Sequence, residues 1–287
     1  MLAEVTGILR EHDLLDPADE PHYNITLVTK NVLNLSAFTR GGVFFHIRGK
    51  ECGALPAEYE CLSNASRLFP RHAPEPLGRY FKNDREIIVL RGISHRPVSA
   101  RSIASDKHAL VRQISGFFEA AGSSARVVKP VDSHRAYLRQ LQERTTEPAC
   151  AAIVREWVAT ERIDDLPHIG QHGDFVLNNL GLTDTGMVVF DWEDFGRITF
   201  PGLDLCTVLA SDMELNADRL RAMIGGDGAL PDNYARLLAK SCPVIGLTPQ
   251  LFRQLIPLYL VIFLDLKKDY GKAIYRIVNQ LIHDIHG

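Results

Sequence analysis

The sequence predicts an α+β fold in which β-strands come first along the chain and α-helices follow. Three observations lead to this prediction. Residues 23–48 carry short β-branched and aromatic runs, residues after about 99 carry apolar side chains at helical spacing, and a polar loop with a short hairpin occupies 172–194. Runs of strands followed by runs of helices are typical of α+β proteins. We therefore divide the chain into a β-rich part, 1–92, and a mostly helical part, 93–287.

Composition is that of an ordinary globular protein. Of the 287 residues, 46% are hydrophobic and 23% are charged. The formal net charge of -3 provides no basic field to attract nucleic acid, so we expect no nucleic-acid partner. The five cysteines are scattered, and none forms a CxxC pair, which predicts reduced thiols in a cytoplasmic protein. The first residues carry acids and no long apolar segment, so no signal peptide is predicted.

The N-terminal elements follow from local patterns. Residues 2–15 predict a short amphipathic helix. Three strands are then predicted from the runs ITLVT, LSAFTR and VFFHIRG, the last two joined across Gly41–Gly42. A helix is predicted over 55–69, with Pro56 suited to its first turn. Two further strands are predicted around 78–80 and 87–90.

The rest of the chain is predicted to be largely helical. Ser105 and Asp106 can cap a helix that we expect to end at Gly122. The other predicted helical stretches are about 133–144, 148–162, 205–223 and 249–286. An unbroken apolar run over 255–264 has only about ten residues, whereas a helix needs about 20 to span a bilayer, so we expect no membrane partner.

The segment HGDFVLNNLGLTDTGMVVFDWED, residues 172–194, carries the residues that indicate chemistry. Asp174 precedes Asn179 by five positions, and Asp191 follows a short predicted hairpin. Transfer of a phosphoryl group to a hydroxyl needs a carboxylate that orients the hydroxyl and accepts its proton. It also needs oxygen ligands that hold Mg²⁺ against the triphosphate. This loop and hairpin supply both kinds of group.

The ordered set HGDxxxxN and φφφDWE resembles the catalytic core of the aminoglycoside phosphotransferase and choline kinase-like family. The resemblance implies a two-lobed, protein-kinase-like fold with ATP and Mg²⁺ bound between the lobes. It also implies that Asp174 is the catalytic base, that His172 supports the catalytic loop, and that Asn179 and Asp191 are the magnesium ligands. Gly173 follows the family pattern. Asp204 resembles the buried aspartate that anchors this loop.

The third predicted strand departs from the family pattern, because no lysine stands where members use one to hold the α- and β-phosphates. The matching position is His46, and strand alternation places Arg48 on the same face. Either residue, or both, can replace the lysine; alternatively, both are ordinary strand residues. Glu58 resembles the helix glutamate that pairs with the strand cation, with Glu60 as its competitor.

Two other family features are weakly marked. No glycine-rich phosphate loop occurs in the first turn, residues 30–35. Residues 90–93 match the hinge between lobes, where backbone groups could bond adenine, but only their order along the chain indicates this. Glu193 and Asp194 could attract a cationic acceptor or pair with Arg197, and we favour the second interpretation.

The sequence therefore predicts ATP- and Mg²⁺-dependent phosphorylation of a small-molecule hydroxyl. Aminoglycosides, amino alcohols, sugars and glycan precursors all remain possible acceptors. The alternative is a catalytically weak or inactive nucleotide-binding module with the same fold. The intact Asp174, Asn179 and Asp191 favour the enzyme, whereas the missing strand lysine favours the module. Nothing in the sequence indicates an oligomeric state.

Overall fold

A computed structural model of the chain describes residues 2–28, 32–40, 44–51, 55–82, 85–98, 102–105, 109–124, 132–225, 230–267 and 272–286. The chain divides into two compact units. Unit 1 comprises Met1–Arg96 and Gly181–Glu193, and unit 2 comprises Pro97–Leu180 and Asp194–Gly287. The separate domain roles predicted for 1–92 and 93–287 stay a prediction.

Unit 1 is built on an antiparallel sheet of five strands in the order β1-β2-β3-β5-β4. Its elements, in chain order, are α1 (Leu2–Glu11), β1 (His22–Val28), β2 (Val32–Phe38), β3 (Phe44–Glu51), α2 (Pro56–Leu68), β4 (Pro76–Lys82) and β5 (Arg85–Arg91). Each of the five strands predicted between 23 and 90 overlaps one of these, although the run LSAFTR continues past the end of β2 at Phe38. The predicted turn at Gly41–Gly42 lies outside the described residues.

The two faces of strand β3 have different surroundings. Phe45 and Ile47 are buried in a core that also contains Val5, Ile8 and Leu9 of α1 and apolar residues of β2 and β5. Because side chains alternate along a strand, His46 and Arg48 project from the opposite face. Lys50 shares that face, since β3 continues to Glu51. The sheet thus buries one side of β3 and presents three basic side chains on the other.

Unit 2 is mostly helical. Its helices are α3 (Ser102–Ser105), α4 (Ala109–Ser124), α5 (His134–Arg144), α6 (Pro148–Val158), α7 (Leu203–Asp212), α8 (Ala217–Gly225), α9 (Asp232–Val244), α10 (Pro249–Lys267) and α11 (Lys272–His286). A second sheet of the chain, most of whose residues belong to unit 1, has the strand order β6-β7-β8. Its strands are β6 (Arg96–Pro97), β7 (Leu180–Leu182) and β8 (Met187–Val189). Strands β7 and β8 form the hairpin predicted from the sequence.

Three helix predictions were wrong in detail. The stretch 148–162 is not one helix, because α6 ends at Val158 and a separate 3-10 turn follows at Glu161–Asp165. Helix α4 does not end at Gly122 but continues to Ser124. A Cβ at Gly122 would collide with the carbonyl oxygen of Val244, so this glycine allows close approach to the end of α9. The stretch 205–223 is two helices rather than one. The chain turns between them at Glu214 and Leu215, which both have left-handed backbones, with φ values of 57° and 53°.

Helix α10 contains the longest apolar run. Its 19 residues are long and apolar enough to cross a bilayer by length and composition, but 61% of the relevant window is buried inside the protein. Fully buried side chains along it include Phe252, Leu255, Ile256, Leu258, Tyr259 and Ile262. Pro257 lies within the helix without ending it. This burial is what a core helix shows.

Candidate active site

Arg48 is the centre of an ionic cluster in unit 1. Its Nε lies 2.9 Å from Oε1 of Glu58, and its Nη1 lies 2.8 Å from Oδ1 of Asp191. Its Nη2 lies 3.2 Å from Oε2 of Glu193. The planar guanidinium carries five N–H donors, so it can serve three carboxylates at once, as a lysine could not do with the same geometry. Glu58 therefore contacts the strand cation, whereas Glu60 is exposed.

Lys50 is the functional candidate that sequence reasoning missed. Its Nζ lies 2.9 Å from Oε2 of Glu58 and 3.5 Å from Oε2 of Glu193. The face opposite the α1 core therefore does carry a lysine, two residues beyond Arg48. The signal was the same alternation that linked His46 and Arg48, but the strand was expected to end at Gly49.

Burial and charge act against each other in this cluster. Burial lowers the pKa of Arg48, but the carboxylates of Glu58, Asp191 and Glu193 outweigh it, so the pKa is raised above its ordinary value. Burial raises the pKa of Glu58, and Arg48 and Lys50 limit the rise. The two cations at hydrogen-bonding distance favour the ionised form of Glu58 and so oppose the effect of burial. The cluster holds three acids and two bases.

His46 has a different environment. Its Nδ1 lies 3.0 Å from Oγ of Ser36, its cross-strand neighbour. Its ring packs edge-on against Phe44 and Phe190, with ring centroids 4.6 and 5.9 Å away. Burial, and then the neighbouring His95, lower the pKa of His46. This side chain is therefore neutral at physiological pH and a poor substitute for a lysine.

The predicted hinge, 90–93, is partly strand. Leu90 and Arg91 belong to β5, and the N–H of Arg91 donates to the carbonyl oxygen of Glu75 at 2.9 Å. Gly92 donates its N–H to the carbonyl oxygen of Phe44 at 2.7 Å. These two backbone donors are thus already used within unit 1. The part of the predicted hinge that lies outside the strand begins at Gly92.

In unit 2, Asp204 holds the catalytic loop by its backbone. One carboxylate oxygen accepts the N–H of His172 at 2.7 Å, and the other accepts the N–H of Gly173 at 2.9 Å. Asp204 lies in the first turn of α7 and is almost completely buried. Burial raises the pKa of Asp204 to about 7, although the two N–H bonds act in the opposite direction. The side chain resembling the family's buried anchor does contact the loop.

Gly173 is required by the backbone of this loop. Its φ is +87°, in the left-handed region, and a Cβ there would lie 2.9 Å from Cβ of Asp194. The preceding His172 is fully buried, and its Nδ1 accepts the N–H of Asp174 at 3.2 Å. Because this N–H donates to Nδ1, Nδ1 is unprotonated when the bond is made. His172 and Gly173 therefore fix where the chain turns into Asp174.

Asp174 and Asn179 are joined within the loop. The side-chain amide of Asn179 donates to the backbone oxygen of Asp174 at 2.9 Å and lies 3.4 Å from its Oδ2. Since the amide nitrogen is used in this way, the amide oxygen of Asn179 is the atom left to bind a cation. The Asp174 side chain is 23% exposed, so an acceptor can reach it.

Lys267, at the end of α10, is the nearest cation to Asp174 in the described part of unit 2. Its Nζ lies 2.7 Å from Oδ2 of Asp194 and 3.3 Å from Oδ2 of Asp174. Burial lowers the pKa of Lys267, but the carboxylates of Asp174 and Asp194 outweigh it and raise that pKa overall. Asp194 also pairs with Arg197 at 2.7 Å. The predicted Asp194–Arg197 contact is thus present, whereas Glu193 contacts Arg48 and Lys50 instead.

The donors available for a cation are hard oxygens. Asp191 is in unit 1, and Asn179 is in unit 2. Asp191 has a left-handed backbone, with φ of 66°, which is uncommon for a residue other than glycine. Among the described residues, no group of three His, Cys, Asp or Glu side chains forms a closed metal site. Mg²⁺ usually keeps waters and substrate phosphates as ligands and takes one or two carboxylates, so the carboxylate of Asp191 and the amide oxygen of Asn179 are each of a type that it binds.

The fold is that of small-molecule phosphotransferases with a kinase-like architecture. A macrolide 2'-phosphotransferase type I has a TM-score of 0.61 at 12% identity, covering 100% of this chain and 97% of the other. A thermostable mutant of aminoglycoside phosphotransferase APH(4)-Ia, in ternary complex with ADP and hygromycin B, has a TM-score of 0.58 at 13% identity, with 98% of each chain covered. A putative fructosamine-3-kinase from Thermobifida fusca YX-ER1 has a TM-score of 0.58 at 16% identity, covering 97% and 98%.

Residues 90–239, just over half of the chain, match the model of the phosphotransferase enzyme family, APH. The chain belongs to this family. The comparison with curated proteins found no match. The predicted fold class and the family resemblance are confirmed, and with them the class of small-molecule phosphotransferase. The roles of the individual site residues stay predictions.

Proposed function

We propose that this protein is an ATP- and Mg²⁺-dependent kinase that transfers the γ-phosphoryl group of ATP to a hydroxyl of a small molecule. The observation that carries the proposal is the arrangement of the catalytic loop in a chain of the phosphotransferase family. Asp174 is partly exposed and is bonded to Asn179, and buried Asp204 holds the loop by the N–H of Gly173. A solved relative contains ADP and hygromycin B, which supports a nucleotide and a small-molecule acceptor.

Asp174 is proposed to orient the acceptor hydroxyl and take its proton as the oxygen attacks phosphorus. A carboxylate does this only when ionised. The ammonium group of Lys267, 3.3 Å away, favours the ionised form by direct attraction. Asn179 restricts the loop so that the carboxylate keeps its direction. Positioning of this kind is a large part of catalysis in phosphoryl transfer.

Arg48 and Lys50 are proposed to bind the phosphates. Both are charged throughout the physiological pH range, in contrast to His46. The phosphate oxygens would compete with Glu58, Asp191 and Glu193 for the Arg48 guanidinium. Glu58 keeps contact with both cations and so can hold them in place while their other donors turn to the nucleotide.

Asn179 and Asp191 are proposed to hold Mg²⁺. When bound, the ion would neutralise charge on the phosphates and on the transferred group. Backbone groups beyond Gly92 are proposed to bond adenine. The four described cysteines, Cys61, Cys150, Cys206 and Cys242, are free thiols, which supports a reducing compartment such as the cytoplasm.

One observation favours a second candidate, a nucleotide-binding module without turnover. Arg48 already pairs with Oδ1 of Asp191, so a magnesium ion would have to compete with this guanidinium for that oxygen. The test that separates the two is ADP release measured with Mg²⁺ and ATP across a broad panel of small-molecule alcohols, with Asp174→Asn as the matched control. Acceptor-dependent ADP release that is lost in Asp174→Asn supports the kinase. ATP binding without release for any acceptor supports the module.

A further inference from the structure

A cavity of about 300 Å³ lies within unit 2, and Asp174 is part of its lining. The catalytic loop also contributes Val176 and Asn178, and the other described lining residues come from α7, α10, α11 and the turn after α7. This volume is at the lower end of the range for small-molecule sites, about 300–1,000 Å³. An acceptor held here would have its hydroxyl beside the proposed base.

Most of the cavity wall is apolar. Five of the lining side chains that come from outside the loop carry no polar atom. They are Ala210, Leu215, Leu260, Phe263 and Val278. Burial of such a surface against a ligand contributes about 25 cal/mol per Å² of apolar area. The wall therefore favours an acceptor with a hydrocarbon body over one with a hydrated body.

The hydroxyl groups in the lining are already used by the protein. Oγ1 of Thr207 lies 3.0 Å from the backbone oxygen of Asp204, and the phenol of Tyr259 donates to the backbone oxygen of Pro201 at 2.8 Å. Oγ of Ser211 accepts the N–H of Leu177 at 3.3 Å. The hydroxyl hydrogens of Thr207 and Tyr259 are therefore already committed, so the Ser211 hydroxyl and the exposed Asn178 side chain are the hydroxyl and amide donors left in the described lining for a polyhydroxylated ligand.

The charge of the lining also restricts the acceptor. Asp174 is the only acid among the described residues that line the cavity. Its Oδ2 lies 3.3 Å from the ammonium nitrogen of Lys267, which Asp194 holds from the other side. A ligand ammonium entering the cavity would lose its water and meet a carboxylate whose charge is already balanced. Burial of an unpaired charge is costly, so the cavity disfavours cationic acceptors.

We propose that the acceptor is a neutral alcohol with a compact apolar body, and that the cavity beside Asp174 selects it. This inference rests on the proposed kinase function. It narrows the acceptors from the predicted range of amino alcohols, aminoglycosides, sugars and glycan precursors to one chemical class.

The test uses two acceptors of matched shape, 4-methylcyclohexanol and 4-aminocyclohexanol, with kanamycin as a polycation. Phosphorylated product and ADP are measured with the full chain, Mg²⁺ and ATP. We expect kcat/KM for the methyl compound to exceed that for either amine by about tenfold or more, the cost of one poorly paired ammonium. The reverse order, or phosphorylation of kanamycin alone, would overturn the inference while the kinase function stands.

A pair of variants tests whether the cavity makes this selection. Leu215 has φ of 53°, a backbone that Asn and Asp adopt more easily than Leu, so neither Leu215→Asn nor Leu215→Asp is expected to unfold the chain. The two variants differ in charge but little in shape. We expect Leu215→Asp to move the ratio of kcat/KM values toward 4-aminocyclohexanol by about fivefold or more relative to Leu215→Asn. An equal ratio of kcat/KM values for the two acceptors in both variants would mean that the cavity does not select the acceptor.

Direct binding separates failure of this inference from failure of the proposed function. Binding of 4-methylcyclohexanol is measured by NMR titration without ATP, and ATP binding is measured by calorimetry. If the alcohol binds but ATP neither binds nor is turned over, the preference of the cavity for apolar alcohols is supported and the proposed kinase function is wrong. Failure of the methyl compound both to bind and to react overturns the inference itself.

Discussion

The ammonium nitrogen of Lys267 lies 3.3 Å from Oδ2 of Asp174, and only 7% of the lysine side chain is exposed. Asp194, which is 1% exposed, holds the same ammonium at 2.7 Å. A buried cation beside the proposed base can act in two ways. It can stabilise the ionised carboxylate, or it can simply neutralise Asp194. The two roles predict different kinetics.

We expect Lys267→Met to lower kcat by about tenfold or more, the order expected for loss of a charge-assisted contact at the base, with little change in the KM for ATP. It should also destabilise the fold by about 3 kcal/mol or more, because Asp194 loses a buried partner. Lys267→Arg should restore most of kcat. Steady-state kinetics well below the melting temperature and urea unfolding provide the measurements.

Arg197→Met is the matched control for that prediction. It removes the other cation on Asp194, 2.7 Å away, and leaves the Lys267–Asp174 contact in place. We expect kcat to stay near the wild-type value. A loss of kcat as large as that of Lys267→Met would reduce Lys267 to a structural partner of Asp194.

Asp174→Asn and Asp191→Ala should separate proton transfer from metal binding. Asp174→Asn removes the proton acceptor and should lower kcat by about 10²- to 10⁴-fold, with Mg-ATP binding nearly intact. Asp191→Ala should weaken Mg-ATP binding. It also removes one of the three carboxylates paired with Arg48, so binding of ATP without Mg²⁺ should be unchanged or tighter. Calorimetric titrations with and without Mg²⁺ give both values. Equal loss of Mg-ATP affinity in the two variants contradicts the assignment.

Much of the fold could be predicted because its signals are local. Strand alternation alone placed His46 and Arg48 on one face of β3, and the same rule reaches Lys50 once the strand is followed past Gly49. Contacts that depend on packing gave no such signal. Lys267 lies 73 residues beyond its partner Asp194, in an apolar helix with no motif, so only the fold brings them together.

Local patterns also failed where tertiary packing decided the outcome. Gly122 looked like a helix end, but a small residue is required there because Val244, at the end of α9, approaches it closely. The turn at Leu215 has a leucine in a left-handed backbone, a position at which sequence patterns lead one to expect Gly or Asn. The cavity lining was equally unreadable, since it combines one loop with several helices that are distant in sequence.

The pH dependence of stability should report on Asp204. Burial raises the pKa of Asp204 to about 7 in the folded chain, whereas an unfolded aspartate has a pKa of about 3.9. Between these values the folded chain holds a proton that the unfolded chain has lost. The stabilisation is therefore complete below about pH 4 and is lost as pH rises toward 7.

Asp204→Asn cannot titrate at this position, so it isolates the effect. We expect the unfolding free energy of the wild type, relative to this variant, to fall by on the order of 1–3 kcal/mol between pH 5 and pH 8. Urea unfolding at the two pH values measures it, and contributions from other groups, such as buried His134, cancel in the difference. A relative stability that stays level from pH 5 to pH 8 would mean that the N–H bonds from His172 and Gly173 keep Asp204 ionised, with a folded-state pKa no higher than that of the unfolded chain.

The last prediction concerns which cation holds the phosphates. Arg48 and Lys50 keep their charge at pH 7 to 8.5, whereas burial lowers the pKa of His46 and leaves it neutral over that range. Mg-ATP affinity should therefore stay level between pH 7 and pH 8.5.

Arg48→Met should weaken Mg-ATP affinity by about tenfold or more, since a charge-assisted bond to phosphate is lost. His46→Gln should change this affinity by less than about threefold. Lys50→Met should fall between them, because Glu58 and Arg48 remain in contact. Lys82→Met is the control, since the Lys82 ammonium nitrogen lies 3.6 Å from Oε2 of Glu11 in α1, which packs on the face of the sheet opposite Arg48. Calorimetric titration at both pH values decides the matter: an affinity that declines with pH and is damaged by His46→Gln would return the phosphate-binding role to His46.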